Sequence, residues 1–384
     1  MTALLRASAI APLALIALLA ALFLTVRPLD FLSQGAPPAE TLAVERVSLD
    51  DAGIHVRLRS GSASAMTIAQ VQVDGAYWQF TQDPPGALPY LGSARIDISY
   101  PWVEGEAHHL TFLTATGATF EHEIAAAVAT PEVGGGDLLA LALVGLCVGV
   151  LPILIGYAFM PAITSFGAAG RRFALALTVG LLAFLLVDTL KEGLEIADRA
   201  VGGQKAAVAL WLGALMSLLA LLAVGRRGGR PPEGTALAAF IAIGIGAHNF
   251  GEGLAIGAAL AGGAVALASF LVFGFALHNV SEGIAIAAPV ERPARRLSLL
   301  FGLALVAGGP AIPGTIAGAY AFSPFWAALA FGVGAGAILQ VIVEVGSSLM
   351  RHAPEGGSWF GGASLSGFVA GVAVMYATAL LVAG

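Results

Sequence analysis

Two rhythms of apolar and polar side chains divide the chain. Over residues 41–130, "GIHVRLRS", "TIAQVQVDGAYWQF", "ARIDISY" and "HHLTFLTATGATFEHEI" alternate apolar with polar positions, the period of a half-buried strand. Asp74-Gly75, Pro84-Pro85-Gly86 and Thr116-Gly117 punctuate them as turns. Short strands at this spacing predict a small antiparallel sandwich, immunoglobulin-like in kind. Beyond them the period disappears, and apolar runs near the roughly 20 residues that cross a bilayer as helix recur. Membrane-embedded helices are predicted at 138–160, 172–193, 206–224, 235–260, 264–288, 297–319, 324–349 and 360–382.

The first forty residues follow neither rhythm. Arg6 precedes an apolar run from Ser8 to Val26, followed by Arg27-Pro28 and "SQGAPPAE". The run is longer than the roughly 7–15-residue core of a signal peptide, and no clean small-residue cleavage site follows. An uncleaved transmembrane anchor is the expectation, with a cleaved signal as the alternative. "TPEVGGGD", residues 130–137, reads as a flexible linker. The predicted plan is an anchor and linker over 1–40, a β-sandwich-like domain over 41–130, and an α-helical polytopic membrane domain over 131–384.

Composition sharpens this picture. The chain is 58% hydrophobic and 11% charged, far from the balance of a soluble domain. Its net charge of −6 leaves no electrostatic footprint for nucleic acid. Cys147 is the only cysteine, so no intramolecular disulfide can form, and its apolar setting predicts a small buried packing residue. Arginine sets the orientation. Arg171-Arg172, Arg226-Arg227-Arg230, Arg292-Arg295-Arg296 and Arg351 lie in alternate loops, whereas the opposite loops offer Lys191, Arg199 and Lys205. The positive-inside bias puts the arginine-rich loops in the cytoplasm. The β domain and the C-terminus then lie outside an integral plasma membrane (a bacterial inner membrane).

Against this apolar background one motif occurs twice. "HNFGEGLAIG" (248–257) and "HNVSEGIAIA" (278–287) repeat His-Asn-x-x-Glu-Gly-x-Ala-Ile on successive helices. His and Glu four residues apart project from one helical face. The turn at 261–264 is about 20 Å of helix from either copy, so His248, Asn249, Glu252 and His278, Asn279, Glu282 share a depth near the bilayer midplane. An ionised carboxylate there costs at least about 2.5–3.5 kcal/mol, and two would repel. A divalent cation answers both problems. Imidazole, carboxylate and amide oxygen suit Zn2+, and also Fe2+, Mn2+ or Cd2+. Gly253, Gly257 and Gly283 read as small residues for close helix packing.

These motifs resemble the fourth and fifth core helices of the ZIP (Zrt/Irt-like) divalent metal transporters, and the likeness covers residues 138–384. The resemblance implies an eight-helix ZIP-like bundle, usually a homodimer, that moves zinc or a related cation toward the cytoplasm. It puts His248, Asn249, Glu252, His278, Asn279 and Glu282 on the transport-site positions. The chain departs from the family pattern at Gly251 and Ser281, where proline is common. It departs again at Gly309-Pro310, where bacterial relatives often show Glu-Pro. With Glu252 and Glu282 as the only midplane carboxylates, one divalent ion brings the pair to neutrality, so a single tightly held metal per protomer is expected. The loop at 225–234 lacks the histidine-rich insert of many relatives.

Two further polar sets interrupt apolar sequence. Asp188, Glu192 and Glu195 share a face of the second helix with Lys191 beside them, and the resemblance favours an acidic cation inlet through Asp188 and Glu192. Gln340 and Glu344 share a face of the seventh helix, and Glu344 falls where relatives carry an acidic residue or histidine, an exit or auxiliary ligand. His108, His109 and His122 read as solvated surface histidines, while His55 and His352 carry no signal. Two alternatives use the same motif. In an intramembrane metalloenzyme a metal-bound water would hydrolyse a substrate, but no substrate motif or His-Glu-x-x-His is present. A metal-sensing receptor would need a cytoplasmic output domain, for which the inner loops are too short.

Overall fold

The computed structural model describes residues 39–124, 127–130, 137–165, 167–201, 203–261, 264–290, 297–351 and 361–383, together with Leu15, Leu18, Leu19, Ala21 and Leu22. Those five isolated residues are helical. The rest of the anchor expected over 1–40, most of the "TPEVGGGD" linker, Arg292, Arg295, Arg296 and His352 lie outside the described residues.

Eight strands follow: β1 Leu42–Asp50, β2 Gly53–Ser60, β3 Ile68–Val73, β4 Ala76–Trp78, β5 Phe80–Asp83, β6 Ser93–Ile98, β7 His108–Thr114 and β8 Thr119–Ile124. They form two four-stranded sheets, ordered β1-β2-β6-β5 and β4-β3-β7-β8, with antiparallel pairing throughout. Inward-facing Ile54, Val56, Leu58, Ile96 and Ile98 of one sheet share a core with Val71, Val73, Leu110 and Phe112 of the other. The alternation in the sequence is the pleat that makes this core. Asp74 (φ 52°) and Gly75 (φ 78°) both take the left-handed backbone that a two-residue hairpin between β3 and β4 needs.

One strand is not singled out in the sequence, and one expectation changes. β1 carries no clean alternation because its register shifts between Val44 and Arg46, a bulge that moves later side chains to the other face. His108, expected in solvent, is 2% exposed. Alternation from the core residues Leu110 and Phe112 turns it inward, where its Nδ1 lies 2.8 Å from Asp74 Oδ2, an oxygen that also accepts from the Tyr100 hydroxyl. His109 is exposed and His122 half-buried.

Eight helices among the described residues are long and apolar enough to cross a membrane: α1 Leu138–Ala162, α2 Gly167–Asp198, α3 Gly203–Gly225, α4 Gly234–Ala261, α5 Leu267–Ala287, α6 Leu297–Ala321, α7 Pro324–Arg351 and α8 Gly362–Leu380. α2 runs about a turn past its apolar run at each end, since the backbone ladder continues where charged side chains reach outward. Lys191 and Glu195 pair there at 3.7 Å. α2, α4, α5 and α7 are the most buried, whereas α3 turns Trp211, Leu212, Leu215, Met216 and Leu219 outward. Such continuous apolar surface fits a hydrocarbon surround and not water. Cys147 is not a buried packing residue as expected, because it sits on the exposed side of α1.

The packing repeats itself. α4 lies along the second half of α6 as α5 lies along the second half of α1, α7 packs on α3 as α2 packs on α8, and α7 meets α4 as α2 meets α5. This pairs α1 with α6, α2 with α7, α3 with α8 and α4 with α5, and partners run in opposite directions. Glycine sets the closest crossings. A β-carbon at Gly253 or Gly257 would strike the α6 backbone near Thr315, and one at Gly283 would strike α1 beside Ile153 and Gly156.

The sheets rest on one end of the bundle. Arg46 Nη2 donates to the carbonyl of Ala261 at 2.9 Å, a cation on the last carbonyls of α4. Lys205 Nζ meets the Tyr90 hydroxyl at 2.5 Å. Arg226 and Arg351 lie at the opposite end, where Arg351 pairs with Glu233 at 3.1 Å.

On the first sheet His55 joins Asp50 (2.9 Å) and Asp97 (2.5 Å). Burial alone would lower the His55 pKa, but bonds to both carboxylates and their charges outweigh it, so the value is raised. The His55 hydrogen bond is the main cause holding Asp50 below its usual range. For Asp97, burial acts upward but the bonds to His55 and Arg95 prevail, so it too is lowered. A raised histidine stabilises below its unfolded pKa of about 6.5 and loses that contribution as pH climbs through the folded value. The lowered carboxylates lose theirs as pH falls through their folded values. Hydrogen exchange of β2 and β6 in the full chain, corrected for intrinsic rates, is expected to be slowest near pH 5–6. Asp97→Asn should flatten the alkaline limb, and an unchanged limb would mean that His55 contributes nothing.

Candidate metal centre

α4 and α5 bring the two copies of the repeated motif to one level. His248, Asn249, Glu252, His278, Asn279 and Glu282 are all buried, with Asn249 and Asn279 fully so. Glu252 occupies the middle. Its Oε1 lies 3.0 Å from His248 Nε2 and 2.6 Å from His278 Nε2, and the two imidazole centroids are 6.3 Å apart. One ligand atom from each of His248, Glu252 and His278 lies within 4.8 Å of the others. Ligand atoms of a tetrahedral zinc site with bonds of ~2.0–2.1 Å stand about 3.3–3.5 Å apart. The two spacings from Glu252 are therefore slightly tighter than those of a cation shell, as hydrogen bonds make them.

The asparagines are held by their amino groups. Asn279 Nδ2 donates to the carbonyl of Val148 at 2.9 Å. Pro152, four residues after Val148, has no N–H to give, so this carbonyl is left over by the α1 helix ladder. Asn249 Nδ2 donates to the carbonyl of Ala307 at 3.1 Å, beside the Gly309-Pro310 break in α6, and reaches Glu282 Oε2 at 3.4 Å. Asn249 Oδ1, Asn279 Oδ1, Glu252 Oε2 and Glu282 Oε1 are buried acceptors with no hydrogen-bond partner among the described residues. Glu282 is not in the His248–Glu252–His278 group, but these four unpaired acceptors of the two motifs are open to a cation, since leaving each one dry and unpaired costs about 1–3 kcal/mol.

Ser281 and Gly251, the residues before the two motif glutamates, have local explanations. Ser281 Oγ donates to the carbonyl of His278 at 2.6 Å, a back-bond of the kind that bends helices. Gly251 leaves room for the Phe331 ring. At Gly309 no side chain reaches the site, so Glu252 and Glu282 remain its carboxylates.

Thr189 was not legible as a site residue, although it sits next to Asp188. Its hydroxyl lies 2.9 Å from His248 Nδ1. A hydroxyl can accept from Nδ1–H or donate to a bare Nδ1, so it serves either imidazole tautomer. Asp188 is exposed and Glu192 half-buried, and they flank Thr189 on the side of the bundle that carries the sheets. The structure does not bring Gln340 and Glu344 into the His248–Glu252–His278 group. Gln340 is fully buried with neither amide atom partnered among the described residues, and Glu344 Oε1 accepts from Arg226 Nε at 2.8 Å.

The chain matches no family model, and no curated protein matches it. The chemistry of the centre therefore rests on its own geometry.

If Thr189 orients His248, Thr189→Val should weaken zinc binding by about 10–100-fold, the usual cost of losing an outer partner of a metal-binding histidine, and Thr189→Ser should restore it. Equal affinity in the valine variant would show the contact to be packing alone.

Proposed function

We propose that this protein is a ZIP-like divalent-metal transporter, with zinc as the first candidate cargo and Fe2+, Mn2+ or Cd2+ as alternatives. The observation that carries this reading is a buried His248–Glu252–His278 group, in motifs that also hold unpartnered buried acceptors, inside eight helices long enough to cross a bilayer. A structural metal site would not need a bundle open to polar side chains on both sides of it. Here Asp188 and Glu192 lead toward the sheet-bearing end, and Gln340 and Glu344 toward the arginine end. Placing the arginine end in the cytoplasm by the positive-inside rule gives an integral plasma-membrane (bacterial inner-membrane) protein whose sheets and C-terminus face outward. Cargo then enters by the acidic side and leaves toward the cytoplasm. The glycine crossings of α4 with α6 and of α5 with α1 permit the close sliding contacts that a rearranging bundle needs. Pairing into a homodimer belongs to the same reading, as does a membrane anchor ahead of residue 41.

Vesicles carrying the purified chain and a zinc-sensitive dye test the proposal. Wild-type protein is expected to pass zinc down its gradient, and His248→Ala/Glu282→Ala to lose most of that flux while still inserting. Normal uptake by the double variant would refute the site. Deleting 41–130 with the anchor kept connected should leave measurable flux, because none of the six motif residues lies in the sheets.

A further inference from the structure

The ion pair between Arg226 and Glu344 is not explained by packing. Glu344 is fully buried on α7, one turn beyond Gln340. Gly334 of α7 lies against the backbone of His248, so Gln340 and Glu344 stand about 9 and 15 Å further along the helix toward the arginine end. A carboxylate at that depth requires a positive partner. Arg226, the first residue after α3, supplies it through Nε at 2.8 Å while its side chain remains 45% exposed. The pair is incomplete. Arginine commonly engages a carboxylate through two parallel bonds, yet Glu344 Oε2 has no partner among the described residues, and neither has Gln340 Oε1 or Nε2. One guanidinium thus holds one oxygen of Glu344, while Glu344 Oε2 and Gln340 Oε1 stay unpaired among the described residues.

We infer that Arg226 is a tethered surrogate cation: it holds Glu344 while no metal is present, closes the arginine end of the path, and is displaced when a divalent ion moves from the midplane to Glu344 and Gln340. This inference rests on the transport reading above. The charge balance supports it. A divalent ion on Glu344 beside a retained guanidinium would place three positive charges against one negative in an apolar wall, so the two cations exclude each other. Arg226 can swing away at little cost because half of its side chain already meets the surroundings and it leads into the turn at Arg226–Gly229.

Counting zinc bound to the purified full chain by equilibrium dialysis separates this idea from the midplane assignment. Wild type should hold one tight equivalent, lost in His278→Ala. Arg226→Gln should gain a second equivalent, which Arg226→Gln/Glu344→Gln loses, and Arg226→Gln/His278→Ala should keep one. Arg226→Lys retains the charge and should stay at one. No added equivalent in Arg226→Gln, or one that survives in the Glu344→Gln double variant, overturns the surrogate-cation role and leaves the midplane site standing. An unchanged count in His278→Ala refutes the midplane site instead. Should Arg226→Gln fail to fold, wild type supplies the readout. Saturating zinc should speed hydrogen exchange at the end of α3, where the Arg226 amide bonds to Leu222, and unchanged exchange there overturns the inference.

Discussion

A carboxylate enclosed by apolar helices must be met by positive charge, and the bundle is organised around that requirement at Glu252. Two imidazoles approach one of its oxygens, one from its own helix and one from the neighbouring antiparallel helix. This single junction fixes the register of α4 against α5. It also fixes which faces of those helices look outward, and there the glycines let α6 and α1 come close. The asparagines extend the same logic to the backbone, because each spends its amino group on a carbonyl beside an interrupted helix. Breaks that would otherwise leave dry carbonyls become the struts that aim amide oxygens elsewhere.

Much of this was legible in the sequence because the signals are local. Apolar runs bounded all eight helices to within a few residues, since leaving hydrocarbon and ending a span are nearly the same event. The motif spacing placed His248 with Glu252 and His278 with Glu282 on shared faces. His248 keeps that partner, but His278 crosses to Glu252, because the choice between two carboxylates depends on helix rotation, which spacing does not encode. Thr189 and Arg226 escaped for a related reason. Each acts on a partner far along the chain, 59 residues away for Thr189 and 118 for Arg226, and neither belongs to a repeated pattern. In the sheets, the bulge near Glu45 erased the alternation of β1, and an inward histidine looked polar enough to be called surface.

The sheets and the helices meet through few but directed contacts. Arg46 reaches the carbonyl end of α4, the helix that carries His248 and Glu252, so the sheet region bears on the site through the rigid rod that displays it. Lys205 against Tyr90 ties the same region to the start of α3, the helix whose far end leads to Arg226. α4 and α3 are thus both held from the sheets at one end of the bundle.

The opposed halves of the bundle are alike in backbone but not in charge. Asp188 and Glu192 on α2, and Gln340 and Glu344 on α7, are each spaced four residues apart. One arm therefore carries two carboxylates, and the other carries a neutral amide and a carboxylate already cancelled by Arg226. Under the proposed function, a cation would be attracted to the first arm more strongly than to the second. On the transport reading, a scaffold of paired helices would thus be electrically lopsided: its two arms would fill unequally at equal concentrations, because Asp188 faces no matching carboxylate on α7 and Arg226 already holds Glu344.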